Sequence, residues 1–209
     1  MKRIKIVGIG GSLAASSNSL AALKIALAGA AENGAETTVL DVGKLNLPIY
    51  APGDNAANEA VREFCDRVAA ADGLVLSSPL YHGTMSGSLK NALDWLELLS
   101  RNKPPYLTDK VVGLICAAGG AQGLQAINTM EYIVRALRGW TVPLVIPIAQ
   151  AWKAFDPEGN AVDENTGDLL RTLGRETARV AELFAGRNLT STEAQRAEAE
   201  LQPLEDAGG

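Results

Sequence analysis

GLVLSSPLYHGTMSGSLKNALDWL, residues 73–96, changes from an apolar strand pattern to an amphipathic helix pattern within a few residues. Residues 73–77 are typical of a short buried strand, and apolar spacing over residues 86–99 predicts a helix. Pro79 lacks a backbone N–H group, so it predicts the end of the strand. The loop between the strand and the helix contains Tyr81, His82 and Gly83. The stretch therefore predicts a strand, a loop and a helix in succession.

The same alternation of strand and helix patterns runs along most of the chain. Continuous apolar runs predict five strands, at residues 3–8, 37–42, 73–77, 110–117 and 141–148. Helical spacing predicts five helices, at residues 19–33, 56–71, 86–99, 124–137 and 163–185. Strands that alternate with helices form a parallel sheet covered on both faces. We therefore predict an α/β fold of the flavodoxin-like kind, with a five-stranded parallel sheet in the order 2-1-3-4-5 and helices on both faces. The two prolines within 141–148 indicate an edge strand.

Composition narrows the classes of function. The chain has 209 residues, a formal net charge of −5 and no run of lysine or arginine, so we expect neither nucleic acid nor a membrane as a partner. No apolar stretch reaches the roughly 18 residues that a membrane span needs. The first residues are too interrupted by charge for a signal peptide, so we expect a cytoplasmic protein. Cys65 and Cys116 lie in apolar patterns and are predicted to be buried.

The chain changes character after Gly186. Residues 187–209 are polar and rich in alanine and glutamate, so we predict one domain at 1–186 followed by a polar tail. Thr190 and Glu193 have the spacing of a capping box, and this segment could form a short exposed helix. A frayed or partner-dependent tail is the alternative.

The first loop to consider follows strand one. In a sheet of this order, ligands bind outside the carboxyl ends of the strands, near the switch between strands one and three. Residues 8–19 read GIGGSLAASSNS, which combines turn-forming glycines with short hydroxyl and amide donors at a helix N-terminus. That combination predicts a phosphate cradle. A helix N-cap at Ser17 or Asn18 would explain part of the same pattern. The loop matches neither a dinucleotide fingerprint nor a Walker motif, so a single phosphate fits it best.

Two further loops follow strands three and four. Residues 78–85 offer an aromatic face at Tyr81 and close backbone approach at Gly83, so a planar heteroaromatic ring could lie there. Residues 117–123, AAGGAQG, leave room for a ligand edge, although an ordinary strand-to-helix turn would look similar. His82 has no carboxylate or cysteine partner nearby in sequence, and one histidine with two distant cysteines does not match a metal set. We therefore predict no catalytic side chain and no metal ligand.

Residues 79–95, PLYHGTMSGSLKNALDW, resemble the P-x-Y-x-G-S-x-x-G-x-L-K-N-A-L-D-W segment of the NADPH-dependent FMN reductase family. The resemblance covers about residues 3–185, with looser matches at residues 11–13 and at the glycines of residues 119–123. It implies FMN as cofactor, with NADPH or NADH as co-substrate. The residues that it implies are Ser12, Ser17, Asn18 and Ser19 for the phosphate, Pro79, Leu80, Tyr81, His82, Gly83 and Thr84 for the flavin ring, and Gly119 and Gly120 for the other ring edge.

The resemblance also implies a homodimer or homotetramer. The implied contact surfaces are the helix after Ser86 and the helix that carries Met130, Tyr132 and Ile133.

One position departs from the family. Ala14 stands where the family usually has an arginine that contacts phosphate, and no basic residue occurs between Lys5 and Lys24. A charge-assisted contact contributes about 1.5–3 kcal/mol, so we expect weaker binding of FMN or NADPH, and less discrimination between NADPH and NADH.

These features imply an FMN-dependent oxidoreductase that takes hydride from NAD(P)H and passes electrons to a small acceptor. Free flavin, a quinone, an azo compound and an oxidised metal species all remain open as acceptors. A flavodoxin-like electron carrier without NAD(P)H activity is the alternative, and a binding module that has lost its flavin is a third. Aromatic residues make up 5% of the chain, with Tyr81 and Tyr50 the main candidates to shield a ring. This low content favours hydride exchange over a carrier.

Overall fold

The computed structural model describes residues 3–53 and 58–201, with side chains described up to residue 186. Five strands form a parallel sheet: β1 (Lys5–Gly10), β2 (Glu36–Asp41), β3 (Gly73–Tyr81), β5 (Val111–Ala117) and β6 (Trp140–Ile148). A two-residue strand, β4 (Thr84–Met85), pairs with β3 in antiparallel fashion. The sheet order is β2-β1-β3-β5-β6, with β4 off this path. Counting only the parallel strands, this is the order 2-1-3-4-5, which confirms the predicted sheet.

Six helices complete the fold. They are α1 (Asn18–Glu32), α2 (Val42–Leu45), α3 (Glu59–Ala70), α4 (Gly87–Asp94), α5 (Gly123–Ala136) and α6 (Glu164–Leu201). One apolar core joins the sheet to α3, α4 and α5 through side chains such as Phe64, Leu89 and Ile127. A second core joins the other face to α1 and α6 through Leu23 and Leu173. Helices therefore cover both faces. Strand β5 is buried along its whole length and β3 over residues 73–78, because both lie inside the sheet.

Strand β6 lies at the edge of the sheet, as its prolines predicted. Pro143 and Pro147 are exposed, and β5 is the only strand paired with β6 among the described residues. An edge position tolerates a proline because one side of the strand has no ladder partner that needs the missing N–H.

Helices α1 and α6 pack with their backbones in close contact. A Cβ atom built at Gly174 would lie 1.7 Å from the carbonyl oxygen of Ala26, and one built at Gly29 would lie 2.1 Å from the carbonyl oxygen of Arg171. Neither position has room for a side chain, so these two glycines set the spacing between the two helices.

The third strand is longer than the sequence predicted. We predicted an end at residue 77 because Pro79 cannot donate a ladder bond, but β3 continues to Tyr81 and Pro79 pairs in register with Ala117. The reason is that β1 ends opposite Ser77, so the last part of β3 has a partner strand on one side only. A proline is tolerated there as it is on an edge strand.

Other element boundaries also differ from the prediction. Residues 42–45, for which we predicted no helix, form the short helix α2. The helix predicted over 86–99 becomes a 3₁₀ turn at Trp95–Leu99. Met130, which lies on one of the two helices implied as subunit contact surfaces, is fully buried in the core, so only exposed side chains of that helix, such as Tyr132, could belong to such a surface.

Helix α6 extends to Leu201, beyond the predicted domain end at residue 186. The division into a domain at 1–186 and a tail stays a prediction, and residues 202–209 lie outside the described part of the chain. Within the described ranges, no helix combines the length and the apolar character needed to cross a membrane.

Candidate functional site

Three loops meet at the carboxyl ends of the parallel strands. Gly11, which follows β1, donates its N–H to the carbonyl oxygen of Ser77 on β3 at 2.9 Å. Ala118, which follows β5, donates to the carbonyl oxygen of Ile148 on β6 at 2.8 Å. The loop after β1, the β3–β4 turn and the loop after β5 therefore lie along the same edge of the sheet, where open α/β folds bind ligands.

The loop after β1 presents backbone donors without acceptors. Ser17 is the N-cap of α1, because its Oγ accepts from the N–H of Leu20 at 3.1 Å. Ser12 Oγ accepts from the N–H of Ala14 at 3.2 Å. The N–H groups of Leu13, Ala15 and Ser16 donate to no residue in the described ranges. Exposed amides at a helix N-terminus favour an anion.

The four predicted phosphate residues are not equivalent. Ser12 and Ser19 are buried, whereas Ser17 and Asn18 are half-buried. Ser19 Oγ lies 3.0 Å from Ser17 Oγ, so its hydroxyl points to the cap rather than into open space. Asn18, the first residue of α1, has a side chain with no hydrogen-bond partner among the described residues. The structure thus leaves Asn18 and the backbone amides as the most available donors.

Two serines, the buried Ser86 and the half-buried Ser88, hold the first loop against α4. Ser86 Oγ donates to the carbonyl oxygen of Gly11 at 2.5 Å, and Ser88 Oγ donates to the same oxygen at 2.8 Å. Ser86 also caps α4, because its Oγ accepts from the N–H of Leu89 at 3.2 Å. A Cβ atom built at Gly11 would lie 2.6 Å from Leu89 Cβ, so this contact needs a glycine. The sequence did not single out Ser86 or Ser88 as positioning residues.

The second loop is a tight β-hairpin. His82 and Gly83 both have positive φ, 47° and 85°, as a two-residue turn between antiparallel strands requires. Tyr81, His82, Gly83 and Thr84 are exposed, and Pro79 and Leu80 are half-buried. The six residues predicted to bind a ring therefore form one continuous hairpin whose tip faces solvent.

The third loop leaves space beside it. Gly119 and Gly120 are exposed, and a Cβ atom built at Gly120 would have no heavy atom within 4 Å. A Cβ atom at Gly119 would lie 4.0 Å from Cζ3 of Trp152. Trp152 is 65% exposed in the short 3₁₀ turn after β6. The sequence reasoning missed this residue, although it follows the carboxyl end of a strand like the other loops.

The two tyrosines predicted to shield a ring differ in their surroundings. Tyr81 is 53% exposed on the hairpin. Tyr50 instead packs edge-on against Trp95, with ring centroids 5.2 Å apart. A groove of about 380 Å³ lies between the end of β6 and the start of α6, and is lined by residues such as Pro147, Val162 and Leu169.

The loops carry little titratable chemistry. Both cysteines are buried, which confirms that prediction. Burial raises the pKa of the Cys116 thiol to about 11, and burial together with Asp66 raises the pKa of Cys65 to about 11. Neutral buried thiols are poor nucleophiles and poor metal ligands. The described residues contain no cluster of three His, Cys, Asp or Glu side chains able to hold a metal ion.

The donor set and the free space fit a flavin mononucleotide. Unpartnered amides and the Asn18 side chain at the start of α1 match a phosphate monoester. The hairpin and the open flank of Gly119 and Gly120 match a flat ring. The fold is that of a flavodoxin-like domain, with a candidate ligand site at the carboxyl ends of its strands.

The comparison with known families identifies the class further. The model of the NADPH-dependent FMN reductase family matches residues 4–153, and the chain belongs to this family. Membership confirms the resemblance found in residues 79–95.

Individual relatives agree with this assignment. An NAD(P)H-dependent FMN reductase of Pseudomonas aeruginosa is 32% identical over 175 residues, covering 80% of this chain and 90% of that protein. The NADPH-dependent FMN reductase ArsH of Rhizobium meliloti is 32% identical over 126 residues, covering 60% of this chain and 51% of that protein. The matched region spans about half the length of the first curated relatives.

A solved structure supports the fold. FerB, a flavoenzyme NAD(P)H:(acceptor) oxidoreductase from Paracoccus denitrificans, superposes with a TM-score of 0.71 at 21% identity, covering 87% of this chain and 98% of that chain. At this identity the likeness concerns the fold alone.

Proposed function

We propose that this protein is an FMN-dependent oxidoreductase that takes hydride from NAD(P)H and passes electrons to a small acceptor. The observation that carries the proposal is the convergence of three loops: an amide-rich helix start, an exposed hairpin and an open glycine pair at one sheet edge. Family membership favours this function over an electron carrier. FMN, when bound, supplies the capacity to accept hydride and release electrons.

The chain's own residues bind and orient. We assign the phosphate to the first loop, where the amides of Leu13, Ala15 and Ser16 and the side chain of Asn18 are available. Ser12, Ser17 and Ser19, the other predicted phosphate residues, are assigned to shaping that loop through the contacts described above.

The ring is assigned to the other two loops. Pro79, Leu80, Tyr81, His82, Gly83 and Thr84 would line one edge of the ring, and Gly119 and Gly120 would approach the other. Backbone N–H groups near the ring would stabilise the negative charge that reduction places on it. No side-chain acid or base is needed for hydride uptake, which agrees with the lack of carboxylates in residues 78–88 and 117–123.

Absorbance of the flavin band tests this function. The purified protein is mixed with FMN, freed of oxygen and titrated with NADPH and, separately, NADH. We expect the band to bleach and to return when air is admitted. A bound flavin that neither nucleotide bleaches would indicate a carrier, and failure to bind FMN would overturn both functions.

A matched pair of variants ties the activity to the site. Gly120→Val adds a side chain where nothing lies within 4 Å, so the fold accepts it while the space for the ring is filled. Gly186→Val makes the same change at an equally open position on α6. We expect Gly120→Val to lose FMN binding at unchanged thermal stability and Gly186→Val to retain it. Equal FMN affinity in the two variants would contradict the site.

We also propose a cytoplasmic homodimer or homotetramer. Support for assembly comes from Leu124 and Tyr132, two large side chains exposed on α5. Light scattering during size-exclusion chromatography should give two or four times the chain mass of 21.9 kDa. A mass equal to one chain would overturn the assembly.

A further inference from the structure

Trp152 differs from the other two tryptophans in its surroundings. Trp95 is 2% exposed and donates its ring N–H to the carbonyl oxygen of Pro48. Trp140 is 58% exposed, but its ring packs against Phe184 with centroids 5.7 Å apart. Trp152 is 65% exposed and has no aromatic ring contact within the described residues. Its large apolar surface therefore faces the solvent beside the third loop.

The turn that carries Trp152 is tied to that loop by the backbone. Ala151 donates its N–H to the carbonyl oxygen of Ala118 at 2.9 Å, and Ala118 donates to Ile148 at 2.8 Å. Ala151 itself is buried, and Gln150 turns the chain with a positive φ of 48°. These contacts fix the backbone that carries the indole, and the indole Cζ3 lies 4.0 Å from a Cβ atom built at Gly119.

We propose that Trp152 is a ring-binding residue of this site, whose indole contacts a planar aromatic ring held at the third loop. The assignment rests on the proposed function, because that function places a ring beside Gly119. Indole faces and edges pack favourably against flat rings, and a tryptophan side chain has only two rotatable χ angles to order on contact. The ring could belong to the flavin itself or to an aromatic acceptor, and the two sources are distinguishable.

Three variants and two ligands test the assignment. Trp152→Ala removes the ring, Trp152→Phe keeps a smaller one, and Trp140→Ala is the matched control at the other exposed tryptophan. Circular dichroism checks that each variant is folded. FMN is titrated into each protein freed of flavin, and both the dissociation constant and the residual emission of bound flavin are measured. KM is then measured with 1,4-benzoquinone, which has a ring, and with ferricyanide, which has none.

We expect Trp152→Ala to raise the FMN dissociation constant about tenfold and to increase the emission of bound flavin, because contact with an indole quenches it. Trp152→Phe should stay within about threefold of the wild type, and Trp140→Ala should match it. Normal FMN binding with a raised KM for 1,4-benzoquinone, but not for ferricyanide, would assign the ring to the acceptor and equally support the proposal.

Two results overturn the inference in different ways. Trp152→Ala with wild-type FMN affinity, flavin emission and both KM values would overturn the role of Trp152 and leave the proposed function intact. A wild-type protein that binds no FMN would overturn the proposed function, and the inference with it.

Discussion

Position 14 shows how a single side chain can affect the affinity of the first loop for an anion. Ala14 is exposed, and its N–H is already used by Ser12 Oγ. An anion bound at this loop would therefore be held only by neutral donors and the start of α1. Neutral hydrogen bonds are weaker than charge-assisted ones, so this site lacks a contribution that an arginine would make.

Ala14→Arg should tighten binding of FMN or NADPH about tenfold, because a guanidinium adds a charge-assisted contact to phosphate. Titration calorimetry with FMN and with NADP⁺ measures the effect. Ala70→Arg, at an exposed position at the end of α3 and away from the first loop, controls for a general gain in positive charge. Unchanged affinities in Ala14→Arg would mean that position 14 does not face phosphate.

Ser86 is a second residue whose small side chain contributes to stability, through two hydrogen bonds. Ser86→Ala should lower the free energy of unfolding by about 2 kcal/mol, because it removes the cap of α4 and leaves the buried carbonyl of Gly11 with one donor fewer. Ser88→Ala removes only a half-buried donor to the same oxygen and should cost about 1 kcal/mol or less. Urea unfolding distinguishes the two, and equal losses would contradict the role of the cap.

At the scale of elements, the contact between α1 and α6 depends on the absence of side chains. The two helices approach so closely at Gly29 and Gly174 that backbone meets backbone. Ala26 and Gly29 lie in the second half of α1, so this contact holds that part of the helix against α6. An alanine at either position would therefore destabilise the protein, although alanine favours a helix more than glycine does.

Gly174→Ala should destabilise the protein by about 3 kcal/mol, because its methyl group would overlap the Ala26 carbonyl and push the helices apart. Gly186→Ala, on the same helix but in open space, should leave stability unchanged or raise it by up to about 1 kcal/mol. Thermal and urea unfolding of both variants measure the contrast. A small effect of Gly174→Ala would show that α6 can shift without loss.

At the scale of the whole molecule, the two buried thiols link stability to alkaline pH. Each keeps its proton in the folded protein to a pKa of about 11, against an ordinary value of 9.0. The folded state therefore binds protons that the unfolded chain releases, and stability falls as pH rises from 9 towards 11. Below pH 9 both states hold the proton, so the thiols add no pH dependence there.

Replacing both cysteines, Cys65→Ala with Cys116→Ala, should make this alkaline loss shallower. Urea unfolding between pH 8 and pH 11 compares the variant with the wild type, so that tyrosine and lysine titrations cancel. Iodoacetamide at pH 8 supplies a separate check, because the native thiols should react only after unfolding. Parallel curves for the two proteins would show that the thiols do not link stability to pH.

The sequence predicts the arrangement of the sheet better than it predicts the details of the site. The five parallel strands and their order could be predicted because each strand is a continuous apolar run and each connection contains a helix. The end of β3 could not, because Pro79 is tolerated only where β1 stops at Gly10, and register between strands is not written in either strand alone.

The sequence by itself determined the class of fold, the family and the three loops to inspect, because these follow from local periodicity and from a contiguous motif. Only the tertiary structure decided which polar groups are available to a ligand. Ser86 and Gly11, which hold two loops together, are 75 residues apart in the chain. Trp152 reaches the site because β6 lies next to β5 and its turn bonds to Ala118. Such contacts arise when distant segments pack, so local pattern carries no sign of them.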